Sequence, residues 1–320
     1  MSMPTLRGPR WVDVRLHRGA LWASGALIAA AAVFTVWLRW ASTAYPQPTD
    51  CGNGPCTDTF LGWASAHDML TGAMSNGALW LLLLPALIAA FVAGPMVGRE
   101  MESGVSKLAW TQSVSPARWL LSKLTTAATC AVLGILLLMG VFRIGTSELY
   151  GNYNLGWPDR GTYELSGPAM PVYALFAVAV GALAGLLLRR AMLAMAAAGG
   201  LTGLLLYALG SIRWDLMPTR TLTGTKADAS GMWWHPGPPN AFSVDQGVTN
   251  AAGERFYQGQ CHPPVEGFSC PADTRITGWY VDYHPRSHFW YVQLIESGIV
   301  LALAAVAVYV SFRVLRRRTA

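Results

Sequence analysis

The chain has 320 residues, of which 53% are hydrophobic and 12% charged. That is about half the roughly 25% charge of soluble domains, which excludes water as the main solvent of the chain. Its net charge of +6 sits at the ends of apolar stretches, where it orients spans and meets anionic headgroups, so no nucleic-acid partner is expected. The expected fold class is all-α: a polytopic membrane protein with six transmembrane helices, a single transmembrane domain over residues 1–320, and a long extracellular loop between helices 5 and 6.

Trp11, Val12 and Leu16, mixed with Arg15, His17 and Arg18, suit a short helix in the headgroup layer or a basic tail that only fixes topology. The first apolar window, 21–38, has basic residues before it and Ala41, Ser42 and Ala44 after it, the flanks of a cleaved signal peptide. Its run exceeds the roughly 7–15 apolar residues of such a signal, so a retained span is expected. The loop that follows is punctuated by Pro46, Pro48, Gly52, Gly54 and Pro55, and is expected to be irregular up to a short helix near 61–70. His67 and Asp68 there are sequence neighbours, do not share a helix face, and read as solvated surface.

Further windows of near the roughly 20 residues that cross a bilayer lie at about 77–97, 120–141, 171–188, 191–209 and 291–312. Only Arg189 and Arg190 remain to join the fourth and fifth, which must form a tight antiparallel hairpin. Its helices carry Gly181, Gly185, Gly199 and Gly203 at a spacing that lets backbones approach closely. The outer loop, about 213–289, is rich in Gly, Pro and Trp and is expected to form a small cap. Trp279, Tyr280, Tyr283, Phe289 and Trp290 at its end suit a membrane–water boundary, with a re-entrant segment as one option.

Arg7, Arg10, Arg15, Arg18, Arg99, Lys107, Arg118, Lys123, Arg189, Arg190, Arg313, Arg316, Arg317 and Arg318 all fall on one side of these spans, the expected cytosolic side, together with both termini. Cys51, Cys56, Cys261 and Cys270 fall on the other, oxidising side, and only Cys130 lies in a span. Of three pairings, Cys51–Cys56 with Cys261–Cys270 is favoured over the alternatives, which include free thiols. No His stands at zinc-type spacing beside both pairs, so no metal is expected.

Two stretches carry more than topology. In the polar segment 98–123, Gly104 is placed to cap one helix and Ser115-Pro116 to start the next. Between them Val105, Leu108 and Ala109 share a face with Lys107 and Gln112 turned elsewhere, the pattern of a short amphipathic helix that another protein could move. In the last window Glu296 is the only carboxylate inside an expected span; with Gln293 and Ser297 it makes a face turned into the bundle. That face is a candidate substrate route or an inter-helix hydrogen-bonding site. Thr125, Thr126 and Thr129 are weaker candidates, because threonine bonds its own helix backbone.

The run Arg99-Glu100-Met101-Glu102-Ser103-Gly104, followed by Leu108-Ala109-Trp110-Thr111-Gln112-Ser113-Val114 and Arg118-Trp119-Leu120, resembles the coupling segment of ABC-2 type transporter permeases, especially an actinobacterial group. Trp11 with Arg15, His17 and Arg18, and the run Tyr283-His284-Pro285-Arg286-Ser287-His288-Phe289-Trp290 with Gln293, Glu296 and Gly298, resemble the same group, so the likeness covers the whole length. Ser103-Gly104-Val105 departs from the Gly-Thr that often follows the acidic pair, and His288 stands where Arg is common.

The resemblance implies the membrane half of an ABC exporter in a bacterial plasma membrane, moving an amphipathic small molecule, lipid or peptide. Its implied partners are ABC ATPase subunits, a second permease subunit and membrane lipids. ATP and Mg would be bound by the ATPase, in keeping with the lack of a Gly-x-x-x-x-Gly-Lys-Ser/Thr loop here. The residues it implies for ATPase coupling are Arg99, Glu100, Glu102, Gly104, Lys107, Leu108, Trp110, Gln112 and Arg118. Two other readings are a non-transporting sensor or immunity protein on the same fold, and a membrane enzyme using His235, His262, His284 and His288. The second lacks a nucleophile–base pair or metal-ligand spacing, so the chain itself is not expected to be an enzyme.

Overall fold

A computed structural model describes residues 15, 18–45, 60–105, 115–147, 149, 155–225, 237–257 and 276–319. It divides into two units: Met1–Arg213 with Gln293–Ala320, and Trp214–Val292.

The first unit is helical. Its long helices are α1 (Arg18–Ala44), α2 (Ala66–Leu82), α4 (Gly94–Glu102), α5 (Pro116–Thr146), α7 (Ala169–Leu188), α8 (Ala191–Ile212) and α9 (His288–Thr319), the last beginning in the second unit. Two short ones, α3 (Leu84–Leu87) and α6 (Thr162–Leu165), complete the set. Among the described residues six helical runs are long and apolar enough to cross a membrane: Arg18–Ala44, Ala66–Glu102, Pro116–Thr146, Ala169–Leu188, Ala191–Leu216 and His288–Thr319. Each expected span is present, and most extend past their apolar windows into polar turns. The protein is a multi-pass membrane protein of the all-α class.

The largest difference from expectation lies in the second span. The short helix expected near 61–70 is not separate: Ser65 caps α2, its hydroxyl accepting from the Asp68 N–H at 3.0 Å, and the run continues from Ala66 to Glu102. It is not one regular helix either. Pro85 lies in α3, Ile88–Ala93 is a π-helix, and Pro95 follows in α4. A proline ring clashes with the carbonyl four residues back, and the wider π turn before Pro95 relieves that clash. The Gly94 N–H closes this turn on the carbonyl of Ala89.

The span also changes partners at this break. Leu70, Met74 and Ala78 of α2 share a core with Leu38 of α1, Ile135 and Phe142 of α5, and Met170 and Ala174 of α7. Beyond the break the run packs against α7 and α8. A side chain at Gly185 would meet the Gly98 nitrogen and Val97 Cβ, each at 2.8 Å; one at Gly199 would meet Ala90 Cβ at 2.9 Å; one at Gly94 would meet the Ala194 carbonyl at 3.0 Å. The lower half of the second span is thus wedged against the hairpin, its own Gly94 and Gly98 completing the contact. The hairpin glycines were expected to serve close packing, and three of them do; Gly203 has nothing within 4 Å.

The hairpin turn is as short as expected. Arg189 takes the left-handed conformation at φ 53° with its N–H on the Gly185 carbonyl, and Arg190 is extended. Helix α7 is the centre of the unit: 72% of its apolar window is buried, against 11–28% for the other five spans, and it contributes to all three apolar clusters. The outward faces of the others carry exposed Leu, Val, Phe and Trp, a surface suited to lipid tails.

The second unit contains an antiparallel sheet in the order β1-β4-β2-β3, with β1 Arg220–Thr225, β2 Phe242–Asn250, β3 Arg255–Tyr257 and β4 Ile276–His284. The aromatic run expected at a membrane boundary is therefore largely the central strand, with Trp279, Tyr280, Val281 and His284 buried. Its register pairs Tyr280 with Thr223 on one side and Gly247 on the other. Tyr280 donates to the Asp245 carboxylate at 3.1 Å, and burial together with that carboxylate pushes its phenol up to about 12.

Candidate functional site

Two polar constellations stand out in the helical unit, one at each end of α8. The first begins at the end of α4, where helical spacing brings Arg99 to the surface and sends Glu100 and Glu102 to different neighbours. Glu100 accepts from Lys123 Nζ at 2.5 Å through one oxygen and from Trp119 Nε1 at 3.0 Å through the other. Both donors lie in the first turns of α5, a helix started as expected by Ser115, whose hydroxyl accepts from the Arg118 N–H. Glu102 accepts from the Ala191 N–H at 2.9 Å, so an acidic side chain supplies the cap that α8 otherwise lacks. Gly104 follows at φ 71°, a left-handed conformation that glycine adopts without strain. Lys107, Leu108, Trp110 and Gln112 lie outside the described residues, as do Cys51, Cys56, Cys261 and Cys270.

The end of α4 is therefore tied to α5 by one carboxylate and to the α7–α8 hairpin by another. Lys123 counted in the sequence only toward topology, and Trp119 only toward a motif. Yet Glu100 and Lys123 end and begin consecutive spans with opposite charges, a signal that could have paired them.

The second constellation is buried. Arg213 follows the last residue of α8 and was expected to open the outer loop; instead the helical run continues to Leu216 and Arg213 is 1% exposed. Its Nε donates to Glu296 Oε2 at 3.0 Å, and its Nη2 donates to Glu296 Oε1 at 3.1 Å and to Glu164 Oε1 at 2.5 Å. The other oxygen of Glu164 accepts from the Gly161 N–H at 2.6 Å, and Tyr173 donates to Glu296 Oε1 at 2.6 Å. The guanidinium stacks 3.8 Å from the centre of the Tyr163 ring.

Gln293, Glu296 and Ser297 do face inward as their spacing predicted, at 0%, 0% and 5% exposure. Gln293 accepts from the Ala169 N–H at 3.1 Å and donates to the Tyr163 carbonyl at 2.7 Å. Every described partner of Gln293 and Glu296 is thus another helix or turn of the bundle, and what this arrangement does chemically is fasten α6, α7, α8 and α9 together. Glu164 was missed in the sequence because it lies in a short connecting turn, where a carboxylate normally reads as solvated.

In the second unit His284 and His288 approach Nδ1 to Nδ1 at 3.1 Å, with His284 beside the rings of Trp214 and Phe242. Burial, reinforced by His288, holds the His284 imidazole below its usual value. His235 and His262 lie outside the described residues. Among the described residues no group of three or more His, Cys, Asp or Glu is placed to hold a metal ion.

The family described as ABC-2 membrane transporter related matches residues 24–213, which include α2–α8 and both constellations up to Arg213. Neither the curated proteins nor the solved structures hold a match to the chain. The matched stretch is more than half of the chain and covers all or most of five of the six spans found among the described residues, so this multi-pass protein is a membrane transporter component and belongs to the ABC-2 membrane transporter related family.

Proposed function

We propose that the chain is the membrane-spanning permease subunit of an ATP-driven exporter in a bacterial plasma membrane, with the Glu100 end and both termini cytosolic. ATP would be bound and hydrolysed by separate ABC ATPase subunits, and a second permease subunit would complete the pathway for an amphipathic small molecule, lipid or peptide. The observation that carries this reading is the joint at the end of α4: the segment that would receive the ATPase is bonded to two other spans within a few residues. Closure of the ATPase dimer on nucleotide would bias the membrane half toward its outward-open state through this joint.

The packing also bears on which parts would move together. A push delivered at the coupling segment, about 98–119, meets α4 already wedged on α7 and α8 and fastened by Glu102 to Ala191. These elements would shift together with the first turns of α5, which Glu100 holds through Lys123 and Trp119, and the irregular stretch 83–93 would absorb the difference from α2.

The test is to purify the chain with candidate ATPase subunits, reconstitute it, and compare ATP hydrolysis and efflux before and after Glu100→Ala with Glu102→Ala. Loss of efflux and of transport-linked hydrolysis is expected; because the variant strands the buried Lys123, the isolated chain also melts lower, and the assay is run below that temperature on complex that remains folded. Unchanged ATPase association and efflux would sink the coupling role. The cysteine pairing Cys51–Cys56 and Cys261–Cys270 is expected to leave one thiol, Cys130, open to alkylation under denaturing, non-reducing conditions; five labelled thiols would remove it.

A further inference from the structure

The basic end of the hairpin carries a charge arrangement that nothing in the described chain answers. Arg318, near the end of α9, donates from Nη1 to the carbonyl of Leu186, one of the carbonyls that the end of α7 leaves without a helical partner. This bond holds the Arg318 guanidinium at the end of α7, three residues before Arg189, so two arginines share one helix end. Arg190, Arg316 and Arg317 are exposed near the same helix ends. Among the described residues no carboxylate lies within ion-pair distance of any of these five. Holding two like charges together around a backbone carbonyl is unfavourable unless an anion completes the site.

The surface next to these arginines tells which anion. Leu187 and Leu188 before the turn, and Met192 and Leu193 after it, are 49%, 41%, 76% and 50% exposed. They belong to the membrane-crossing stretches, where acyl chains can cover them. Exposed apolar residues on both sides of the turn that carries Arg189 match one molecule with two tails and a phosphodiester head. A soluble acidic protein would match only the charged half. Guanidinium forks bind phosphate oxygens through paired N–H donors, which a diffuse basic surface does not do.

We propose that Arg189 and Arg318, supported by Arg190, form a specific seat for the phosphate of an anionic phospholipid whose acyl chains lie along Leu187, Leu188, Met192 and Leu193. This goes beyond general lipid contact, and it rests on the membrane-spanning character of the chain rather than on the ATPase reading. Failure of either proposal leaves the other standing.

The test uses the full chain in zwitterionic phosphatidylcholine micelles, titrated with phosphatidylglycerol and followed by native mass spectrometry. Arg189→Gln with Arg318→Gln is expected to weaken retention of the first phosphatidylglycerol about a hundredfold, the effect of losing two charge-assisted contacts. Arg316→Gln with Arg317→Gln removes the same formal charge and is expected to weaken it less than about tenfold. Equal losses in the two double variants would overturn the seat and leave only general charge attraction. Inorganic phosphate that displaces the lipid at equal concentration would assign the site to a free anion and overturn the lipid claim. Should Arg318→Gln disturb the helix end, seen as a lower melting temperature, Arg189→Gln alone keeps the Leu186 bond and must still weaken the lipid about tenfold.

Discussion

Arg213→Met is expected to cost the protein about 3–5 kcal/mol, enough to abolish most folded, detergent-extractable material. The substitution keeps much of the apolar volume over the Tyr163 ring but leaves Glu164 and Glu296, 1% and 0% exposed, facing each other without their cation. An unpaired buried carboxylate loses far more than an ion pair gains, which is why removing one partner is worse than removing all. The triple variant Arg213→Met, Glu164→Gln, Glu296→Gln is therefore expected to recover a large part of the loss. Fluorescence-detected size-exclusion melting measures both. A single variant that melts like the parent would show that this cluster does not hold the helices together.

The second large effect is expected at the wedge. Gly185→Leu places a side chain against the Gly98 nitrogen and Val97 Cβ, where the neighbour is backbone and cannot rotate away. Gly181→Leu does the same against Ala93 and Gly94. Overpacking of this kind costs about 1–3 kcal/mol or more, and here it also pries α4 from α7. Gly200→Leu and Gly203→Leu put the same bulk where nothing lies within 4 Å, and are expected to change stability by less than about 0.5 kcal/mol. Equal losses at all four positions would mean that glycine serves helix flexibility rather than contact.

This contrast marks what the sequence could express. Six apolar windows, a two-residue hairpin, the Ser115 cap and the inward face of Gln293, Glu296 and Ser297 were all legible, because each depends on local spacing or length. Which surface meets which was not legible. The four hairpin glycines are indistinguishable by spacing, yet three face the second span and one has nothing within 4 Å of where a side chain would go. Arg213 stood at the end of an apolar window and read as loop, since only the distant Glu164 and Glu296 make its burial tolerable. The central strand from Ile276 to His284 is rich in β-branched and aromatic residues, a strand signal that its nearness to the last span masked. At the joint, the carboxylates were identified as important, while their partners Trp119, Lys123 and the Ala191 N–H depended on the folded arrangement.

The π turn at Ile88–Ala93 also sets a phase. Each residue of an α-helix advances the side-chain direction by about 100°, so one extra residue in a widened turn rotates everything beyond it by that amount relative to an uninterrupted helix. Gly94, Gly98, Glu100 and Glu102 all lie beyond it. The inserted residue is what aims two glycines at the hairpin and two carboxylates at α5 and α8; deleting it would keep the span's composition and hydropathy and point that whole face at the wrong neighbours.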